Sequence, residues 1–453
     1  MAVIALASPP ARSGATDPRQ VILIIGDGMD EQQITIARNY LKGARGRLLL
    51  DSMPLRAAAQ ILTVEEGSGG RPVYVADSAN TASSLATGKV TSRGRISTSA
   101  ERDEDLTTLV ELAAAAGLRS GIVTTASVTD ATPAAFATHI NFRLCENPDD
   151  MVNVSYQDIL LGDCSADLKA NGGRGSIAEQ LAESPLQVIL GGGAKHFAPT
   201  AEGTSQSVAA LARQKGFSIV RSAEELAASQ PPKRLLGLFS ASTMPVRLQG
   251  EDGRTAQAPK PSPLNRVHRY LGHVTQPAPM TCEANPAFAT VPSLKQMTDA
   301  ALAHLAADNA RGFFVMVESA SIDKQAHERR PCGSIGEVEQ LEEALASALE
   351  FAQTHSNTLI LVTADHSQAA QLTPEISLFA AFPIPQYSPG LIARIITPEG
   401  ALMAVNYATT NFSRAEHTGA AVPLFSNAQG QDRVPAFVQQ PDIFHIMRDY
   451  LGL

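Results

Sequence analysis

The chain has 453 residues, of which 44% are hydrophobic and 18% are charged, and its formal net charge is −9. This is ordinary globular composition, and the length suits one large α/β domain as well as two or three average domains. The net negative charge argues against nucleic acid as the main partner, because phosphate backbones bind basic surfaces. No run of apolar residues reaches the roughly 18 to 20 that a membrane-spanning helix needs.

Residues 1–19 are predicted to be a signal-peptide remnant or a disordered N-terminal segment. Residues 1–7 are apolar and end in Ala5-Leu6-Ala7, a small-x-small pattern of the signal-peptidase type. The basic start and the longer apolar core of a complete signal peptide are missing, so both interpretations stay open. Residues 20–453 are predicted to form a single domain.

The four cysteines form two pairs that are close in the sequence, Cys145 with Cys164 and Cys282 with Cys332. Four cysteines allow more than one connectivity, and we favour this local one. Two disulfides indicate an oxidising compartment, which is the periplasm or the exterior of the cell. Four buried free thiols are the alternative. Together with the N-terminal pattern, the cysteines favour secretion.

In chain order, short β-branched runs predict buried parallel strands at residues 21–25, 121–125, 187–190, 313–317 and 358–363. Segments rich in Ala, Leu and Glu predict helices at residues 106–116, 294–307 and 336–355. Strands that alternate with helices indicate an α/β fold with a mostly parallel central sheet and helices on both faces.

Two stretches of the chain lack a clear periodicity. Residues 230–292 are rich in proline and glycine, and we predict that they are surface excursions of the domain. Residues 373–413 are also irregular, and we predict a small accessory sheet there, beside the functional site.

Acidic residues follow three of the predicted strands: Asp27 the first, Glu318 the fourth and Asp365 the fifth. Ligands in open α/β sheets bind at the carboxyl ends of the strands, and carboxylates that converge there need cations to offset their repulsion. A single acid of this kind is more often a helix cap. Three of them with histidines nearby indicate a metal site.

The histidines extend this candidate metal site. Asp323 and His327 are four residues apart, so that on a helix they would share one face. His366 directly follows Asp365, and His417 lies further along the chain. Carboxylate and imidazole ligands together suit zinc, whereas an all-oxygen set suits magnesium. Taken alone, His417 would more simply be a surface histidine.

Ser78 is the candidate nucleophile. It begins a helix-like stretch of small residues, and the free N–H groups of a helix N-terminus favour phosphate. The segment has neither a G-x-S-x-G elbow nor an Asp/His partner at fixed spacing, which argues against a Ser-His-Asp hydrolase. Zinc can instead stabilise the serine alkoxide. Without the metal site, such a serine would be read as a helix cap.

Six ordered blocks of the sequence resemble the alkaline phosphatases, most of all the periplasmic members from enteric bacteria. The blocks are residues 25–29, 75–79, 130–135, 318–327, 363–366 and 416–419. The resemblance implies a hydrolase of phosphate monoesters that forms a phosphoserine intermediate on Ser78 and releases inorganic phosphate and an alcohol. It also implies two Zn²⁺ and one Mg²⁺ per chain, a homodimer, and the cysteine pairing favoured above.

The resemblance further implies the roles of individual residues. The metal ligands would be Asp323, His327 and His417 for the first zinc ion; Asp365, His366 and Asp27 for the second; and Asp27, Thr132 and Glu318, with waters, for magnesium. Arg143 matches the arginine that clamps two phosphate oxygens. Asp130 and Lys324 match positions where many relatives have histidines. Asp130 would orient a water at magnesium, and Lys324 would reach the phosphate through water.

Gln368 departs from the family pattern, because some close relatives have a histidine there. Since glutamine can still donate a hydrogen bond, we expect a change in zinc affinity or turnover rather than in the reaction.

Two alternatives stay open. A phosphodiesterase or sulfatase of the same superfamily would keep the fold. The residues after Ser78 lack the C/S-x-P-x-R context of sulfatases, however, and Ser78 together with Arg143 favours monoesters. A non-catalytic metal- or phosphate-binding protein would be expected to have lost a ligand, the nucleophile or the clamp, and all of them are present.

Overall fold

A computed structural model describes residues 18–453 except 157–158, 232, 269–270 and 375–389. Most of the predicted N-terminal segment, residues 1–17, therefore lies outside the described residues, as does part of the predicted accessory region. None of the helices in the described part of the chain combines the length and the apolar character needed to cross a membrane.

A ten-stranded sheet forms the centre of the structure. In spatial order its strands are Phe437–Gln439, Leu55–Gln60, Val422–Ser426, Thr358–Ala364, Arg19–Gly26, Gly312–Ser319, Arg119–Ser127, Val188–Gly192, Arg234–Leu238 and Phe217–Val220. Val422–Ser426 runs antiparallel to both of its neighbours, and all other neighbouring strands are parallel. The predicted α/β fold with a mostly parallel sheet is confirmed.

The central strands are apolar on both sides because helices cover both faces of the sheet. In Arg19–Gly26 every residue after Arg19 is buried, as expected for a strand covered on both faces. Helices Leu294–Ala306 and Pro331–Thr354 pack on each other and on the central strands. A second group of helices includes Ser78–Thr87 and Gln440–Leu451, which pack on each other; Gln440–Leu451 also packs on the strand Arg19–Gly26.

The α-helices, in chain order, are Glu31–Lys42, Ser78–Thr87, Leu109–Ala115, Ala131–Ala135, Ile177–Glu183, Val208–Gln214, Ala223–Ala227, Pro263–Val267, Leu294–Ala306, Ser321–His327, Pro331–Thr354 and Gln440–Leu451. The predicted helix 106–116 begins at Leu109, because the Thr108 side chain caps it by accepting a hydrogen bond from the backbone N–H of Glu111. The predicted helix 336–355 begins earlier, at Pro331, a residue suited to a first helical turn.

The smaller sheets lie outside the central one. A three-stranded antiparallel sheet contains Ala370–Thr373, Leu402–Tyr407 and Leu391–Ile396, so the predicted accessory sheet exists. Four strand pairs complete the set: Thr63–Val64 with Pro72–Val73, Val154–Tyr156 with Ile159–Gly162, Leu248–Gly250 with Cys282–Ala284, and Lys260–Pro261 with Val274–Thr275.

The prediction for residues 230–292 is wrong at its start. Arg234–Leu238 is a strand of the central sheet, paired with Val188–Gly192 on one side and Phe217–Val220 on the other. Its leucines are buried. The strand is only five residues long, and the proline- and glycine-rich sequence that follows it hides its signal. The rest of the segment forms short elements outside the central sheet.

Both predicted disulfides are present, Cys145–Cys164 and Cys282–Cys332. They close loops of different length, since the partners are 19 and 50 residues apart. A disulfide stabilises the folded state mainly by restricting the unfolded chain, and it does so more for a longer loop.

We therefore expect the Cys282→Ser/Cys332→Ser double variant to lose about 4 kcal/mol of unfolding free energy and the Cys145→Ser/Cys164→Ser variant about 3 kcal/mol. Urea titrations of both double variants beside the wild type would measure the difference. A larger loss from the shorter loop would contradict the entropic explanation.

Candidate active site

Three acidic residues meet at the carboxyl ends of adjacent central strands. Asp27 directly follows Arg19–Gly26, Asp365 directly follows Thr358–Ala364, and Glu318 is the penultimate residue of Gly312–Ser319. All three are buried, and the strand Arg19–Gly26 lies between the other two. The sheet order therefore brings these carboxyl groups together although they are far apart in the sequence.

The first group of potential ligands contains Asp323, His327 and His417. Asp323 and His327 lie on the short helix Ser321–His327, which follows the Glu318 strand. The Nε2 atom of His327 is 3.3 Å from Asp323 Oδ2, and the Nε2 atom of His417 is 3.3 Å from Asp323 Oδ1. The predicted helical spacing of Asp323 and His327 is confirmed.

The two imidazole rings of this group are oriented by backbone carbonyl groups. His327 Nδ1 contacts the carbonyl oxygen of Ala415, and His417 Nδ1 is 2.8 Å from that of Ala76. Because a carbonyl oxygen only accepts hydrogen bonds, each Nδ1 carries a proton, and in the neutral form of each ring the free electron pair is on Nε2. The two Nε2 atoms are 3.0 Å apart. A cation between them would accept one electron pair from each neutral ring, and this donor set fits zinc.

A second group contains Asp27, Asp323 and His366, whose ligand atoms lie within 4.8 Å of one another. Asp27 Oδ1 is 3.3 Å from His366 Nε2, is buried, and accepts no hydrogen bond in the described part of the chain. An ionised oxygen in this situation is costly unless a cation contacts it. Asp323 thus belongs to both groups, whereas the sequence suggested it only for the first.

Asp365 lies beside the second group. Its Oδ1 atom accepts hydrogen bonds from the backbone N–H groups of Gly28 and His366, at 3.1 and 2.9 Å. Its Oδ2 atom is 3.4 Å from His366 Nε2. One carboxylate oxygen is therefore used to fix the side chain, and the other faces the ring nitrogen that a metal would contact.

The oxygen ligands proposed for magnesium are buried as well. Glu318 accepts a hydrogen bond from Thr124 Oγ1, and burial, helped by Asp130 and Asp365, raises its pKa to about 8. Burial and the neighbouring carboxylates also raise the pKa of Asp27. Thr132 is buried in the helix Ala131–Ala135, and no hydrogen bond joins its side chain to Asp27 or Glu318 within the described ranges. Carboxyl groups that resist ionisation when bare are suited to a divalent cation.

The imidazoles and Asp323 influence one another. Burial alone would raise the pKa of Asp323, but His327 and His417 outweigh it and lower that pKa. Burial would lower the pKa of His417, but the hydrogen bond to Asp323 raises it to about 9. The pair is therefore ionised at neutral pH in the metal-free protein.

Ser78 is the first residue of the helix Ser78–Thr87, as predicted. Asp77 caps this helix by accepting a hydrogen bond from the backbone N–H of Asn80. Ser78 Oγ is 3.1 Å from His366 Nε2 and is therefore next to the second group of ligands. A serine that is not itself the cap, beside a ligand nitrogen, is placed to act as a nucleophile.

Arg143 and Lys324 are held by two carboxylates. Arg143 donates from Nη1 to Asp77 Oδ2 at 3.2 Å and from Nη2 to Asp130 Oδ1 at 3.0 Å. Lys324 Nζ donates to the other oxygen of Asp130. Burial opposes ionisation of Asp130, but Lys324 and Arg143 outweigh it and lower its pKa. Each terminal guanidinium nitrogen has a second N–H, which leaves the fork able to bind an oxyanion.

Two contacts at the site could not be identified from the sequence, one made by Asp77 and one by Gln368. Asp77 precedes the candidate nucleophile and has the composition of an ordinary helix cap, so its contact with Arg143 gave no separate signal. Gln368 was predicted to change zinc affinity or turnover as a hydrogen-bond donor, but its partner was not identified. Its Nε2 atom donates a hydrogen bond to Asp323 Oδ1, so it acts on the carboxylate that both ligand groups share.

A parallel α/β sheet with clustered carboxylates and imidazoles at its strand ends is typical of metal-dependent hydrolases. Comparison with known proteins identifies the family. The model of the alkaline phosphatase family matches residues 18–411, and the chain belongs to this family. The family is metal-dependent, and its activity is the hydrolysis of phosphate monoesters.

Individual relatives agree with this assignment. The chain is 40% identical to streptomycin-6-phosphate phosphatase of Streptomyces griseus over 100% of this chain and 96% of that protein. It is 38% identical to the alkaline phosphatase of Escherichia coli strain K12 over 96% of this chain and 86% of that protein. A variant of the TAB5 alkaline phosphatase with bound magnesium shares the fold, with a TM-score of 0.64, 21% identity, and coverage of 96% of this chain and 98% of that one.

Replacement of Gln368 by leucine removes the hydrogen bond to Asp323 while keeping a similar volume. Partners of metal ligands typically change metal affinity by about 10- to 100-fold. We expect Gln368→Leu to bind zinc about tenfold more weakly, as measured by competition with a chromophoric chelator. Gln368→His, which can still donate, should lose much less zinc affinity than Gln368→Leu. Equal zinc affinity in Gln368→Leu would show that this hydrogen bond does not affect the metal.

Proposed function

We propose that the chain is an alkaline phosphatase that hydrolyses phosphate monoesters through a phosphoserine intermediate on Ser78. The observation that carries the proposal is the convergence of imidazole Nε2 atoms and buried carboxylates beside the serine. His327 and His417 Nε2 are 3.0 Å apart next to Asp323, and His366 Nε2 is 3.1 Å from Ser78 Oγ.

We propose two zinc ions and one magnesium ion per chain. His327, His417 and Asp323 would hold one zinc ion, and His366, Asp365 and Asp27 the other. Asp27, Glu318 and Thr132 would hold magnesium with waters. The donor chemistry of the three sets and the unpartnered buried oxygen of Asp27 support this distribution.

Bound metal ions would supply the positive charge that favours the serine alkoxide and offsets charge on the reacting phosphate. Ser78 Oγ attacks phosphorus, the P–O bond to the leaving alcohol breaks, and a phosphoserine forms. Water then attacks the phosphoserine, which releases inorganic phosphate and returns Ser78 to its initial state. The helix N-terminus at Ser78 directs backbone N–H groups towards the phosphate.

Arg143 binds two non-bridging phosphate oxygens, and Asp77 and Asp130 fix the plane of its guanidinium group. Lys324, paired with Asp130, reaches the phosphate through water. A diester has a second substituent on one of those oxygens, which would crowd the arginine. This arrangement therefore supports monoesters over diesters.

The groups named above bind phosphate or metal ions, or hold the groups that do, and none recognises a leaving alcohol. We therefore propose a broad range of monoesters as substrates. The relative from S. griseus is named for one phosphorylated aminoglycoside, which makes streptomycin 6-phosphate a useful second substrate beside p-nitrophenyl phosphate. Similar kcat/KM values for the two would support broad specificity.

The central experiment is hydrolysis of p-nitrophenyl phosphate at mildly alkaline pH, before and after chelation, with zinc and magnesium restored separately and together. We expect chelation to abolish activity and both ions to be needed for full recovery. Bis-p-nitrophenyl phosphate as the preferred substrate would indicate a diesterase. A folded, zinc-loaded protein with no activity on either ester would leave only a binding function.

We expect Arg143→Lys to raise KM for p-nitrophenyl phosphate by about 10- to 100-fold, because a lysine cannot form the two parallel hydrogen bonds of the fork. Arg38→Lys is the matched control, since Arg38 also forms two side-chain hydrogen bonds to carboxylate oxygens, both on Asp51, outside the site. An unchanged KM in Arg143→Lys, or an equal increase in Arg38→Lys, would contradict the assignment of Arg143 as the phosphate clamp.

We further propose a periplasmic or secreted homodimer with one catalytic domain over residues 20–453. The two disulfides support an oxidising compartment. The resemblance to the alkaline phosphatases supports the dimer. The central sheet takes strands from Arg19–Gly26 to Phe437–Gln439, which supports a single domain. Light scattering during gel filtration would test the dimer, and limited proteolysis would test the domain.

A further inference from the structure

Arg329 occupies a backbone position that normally favours glycine. It lies two residues after His327, where the helix Ser321–His327 ends. The N–H of Arg329 donates to the carbonyl of Ala326 at 2.9 Å, and that of Arg330 donates to Gln325 at 2.8 Å. This is the Schellman helix ending, and Arg329 adopts its left-handed conformation, with φ of 58°. For a residue with a Cβ atom that conformation costs roughly 1 kcal/mol. We therefore expect the side chain of Arg329 to make stabilising contacts that offset this cost.

The side chain of Arg329 is buried and bound to backbone carbonyl groups. The residue is only 4% exposed. Nη1 donates to the carbonyl of Ser413 at 2.6 Å, and Nη2 donates to those of Phe412 at 2.8 Å and Thr410 at 3.3 Å. Within the described residues no carboxylate forms an ion pair with it. The guanidinium group therefore acts as a three-point clamp on one loop.

That loop, residues 409–416, connects the clamp to the metal ligands. It is closed at its base by Thr409 Oγ1, which accepts from the N–H of Glu416 at 2.9 Å and donates to its carbonyl. Ala415 in this loop donates its N–H to the carbonyl of His327 at 2.9 Å, and its carbonyl orients the ring of His327. His417 follows the loop directly. Arg329 thus holds the segment that orients the ring of His327 and that leads directly into His417.

We propose that Arg329 is a positioning residue for the His327–His417 pair: by holding the 409–416 loop it fixes the two Nε2 atoms at the spacing that zinc requires. The inference rests on the proposed function, because it takes these histidines as zinc ligands. In the described part of the structure the side chain of Arg329 donates to the loop and to none of the proposed ligand atoms, so it acts through the loop.

The test compares zinc release from Arg329→Met, Arg329→Lys and the wild type, each loaded with zinc and magnesium, into a chromophoric chelator. Methionine keeps much of the volume but removes every donor, and lysine keeps the charge without the fork. We expect one class of zinc ions to leave Arg329→Met about 10- to 100-fold faster. The rate of zinc release from Arg329→Lys should lie between those of the wild type and Arg329→Met. The lysine variant keeps the test valid if the methionine variant folds poorly.

Arg234→Met is the matched control. Arg234 also donates to three backbone carbonyls, those of Ser184, Leu186 and Lys215, and it does so at the amino end of a strand, outside the site. We expect this variant to lose thermal stability while it releases zinc at the wild-type rate. If both arginine variants release zinc equally fast, or if Arg329→Met releases it at the wild-type rate, the positioning role is overturned.

Proteolysis of the metal-free proteins provides a readout that does not depend on zinc. Arg414 is a tryptic site within the 409–416 loop. Because the clamp holds this loop directly, we expect cleavage after Arg414 to be several-fold faster in metal-free Arg329→Met than in the metal-free wild type or Arg234→Met. Equal cleavage rates would contradict the clamp. The wild type could bind no zinc while Arg329→Met is still cleaved faster than the wild type. That result would overturn the proposed function and support only the contact between Arg329 and the loop.

Discussion

Replacement of Ser78 by alanine is expected to lower kcat for p-nitrophenyl phosphate by on the order of a thousand-fold or more, since loss of a nucleophile removes the covalent pathway. Ser78 contributes no ligand to the two groups formed by Asp27, Asp323, His327, His366 and His417. Zinc content should therefore stay at the wild-type value. Steady-state kinetics beside metal analysis of the same sample would measure both quantities.

Ser84→Ala is the matched control for this substitution. Ser84 lies on the same helix and is also buried, but within the described residues its Oγ donates only to the carbonyl of Asn80. Its replacement should leave kcat within about twofold of the wild type. Acid quenching of the wild type with labelled phosphate should trap label on Ser78, and Ser78→Ala should retain none. Substantial turnover by zinc-loaded Ser78→Ala would mean that water attacks the ester directly.

Removal of the metal ions is expected to make stability depend on pH. In the metal-free protein burial raises the pKa of Glu318 from 4.5 to about 8. A carboxyl group with a raised pKa favours the folded state only while it is protonated, so stability falls as pH rises from about 4.5 through 8. The pKa of His417 is raised to about 9 by Asp323, and its stabilising contribution is complete below about 6.5 and lost as pH rises through 9.

Both groups act in the same direction, so we expect the Tm of the metal-free protein to fall by about 5 °C between pH 6 and pH 9. The Tm of the metal-loaded protein should change much less, because bound cations would keep the carboxylates ionised and the imidazoles neutral at both pH values. Calorimetry at matched ionic strength would measure Tm against pH for the two forms. Glu318→Gln should flatten the metal-free curve, and a metal-free Tm that rises with pH would contradict this account.

The five strands predicted from sequence are all present, because strands buried on both faces are continuous runs of apolar and β-branched residues. Five further strands of the central sheet were not predicted. Leu55–Gln60 is rich in alanine, Val422–Ser426 contains a proline, and Phe437–Gln439 has only three residues. Such strands form because a neighbouring strand offers hydrogen bonds, and this depends on the tertiary structure rather than on local propensity.

The sequence predicted which types of residue form the candidate site better than it predicted which of them contact each other. The ligand types could be proposed because acids and histidines follow strands or share a helical turn. The membership of Asp323 in both ligand groups could not be predicted, since it depends on how closely two segments of the chain approach each other. The pairing of Arg143 with Asp77 likewise joins residues 66 positions apart. The clamp formed by Arg329 left no signal, because its partners are backbone carbonyls, which every residue carries.

The position of Arg19–Gly26 within the sheet has a consequence for the biosynthesis of the protein. This strand pairs with Gly312–Ser319 and Thr358–Ala364, so during translation it has neither neighbour until most of the chain has been made. The proposed ligand set is completed only when His417 emerges. If these residues are the ligands, we expect the full metal complement to be captured late in maturation, and a polypeptide terminated before His417 to stay inactive however much zinc its surroundings contain.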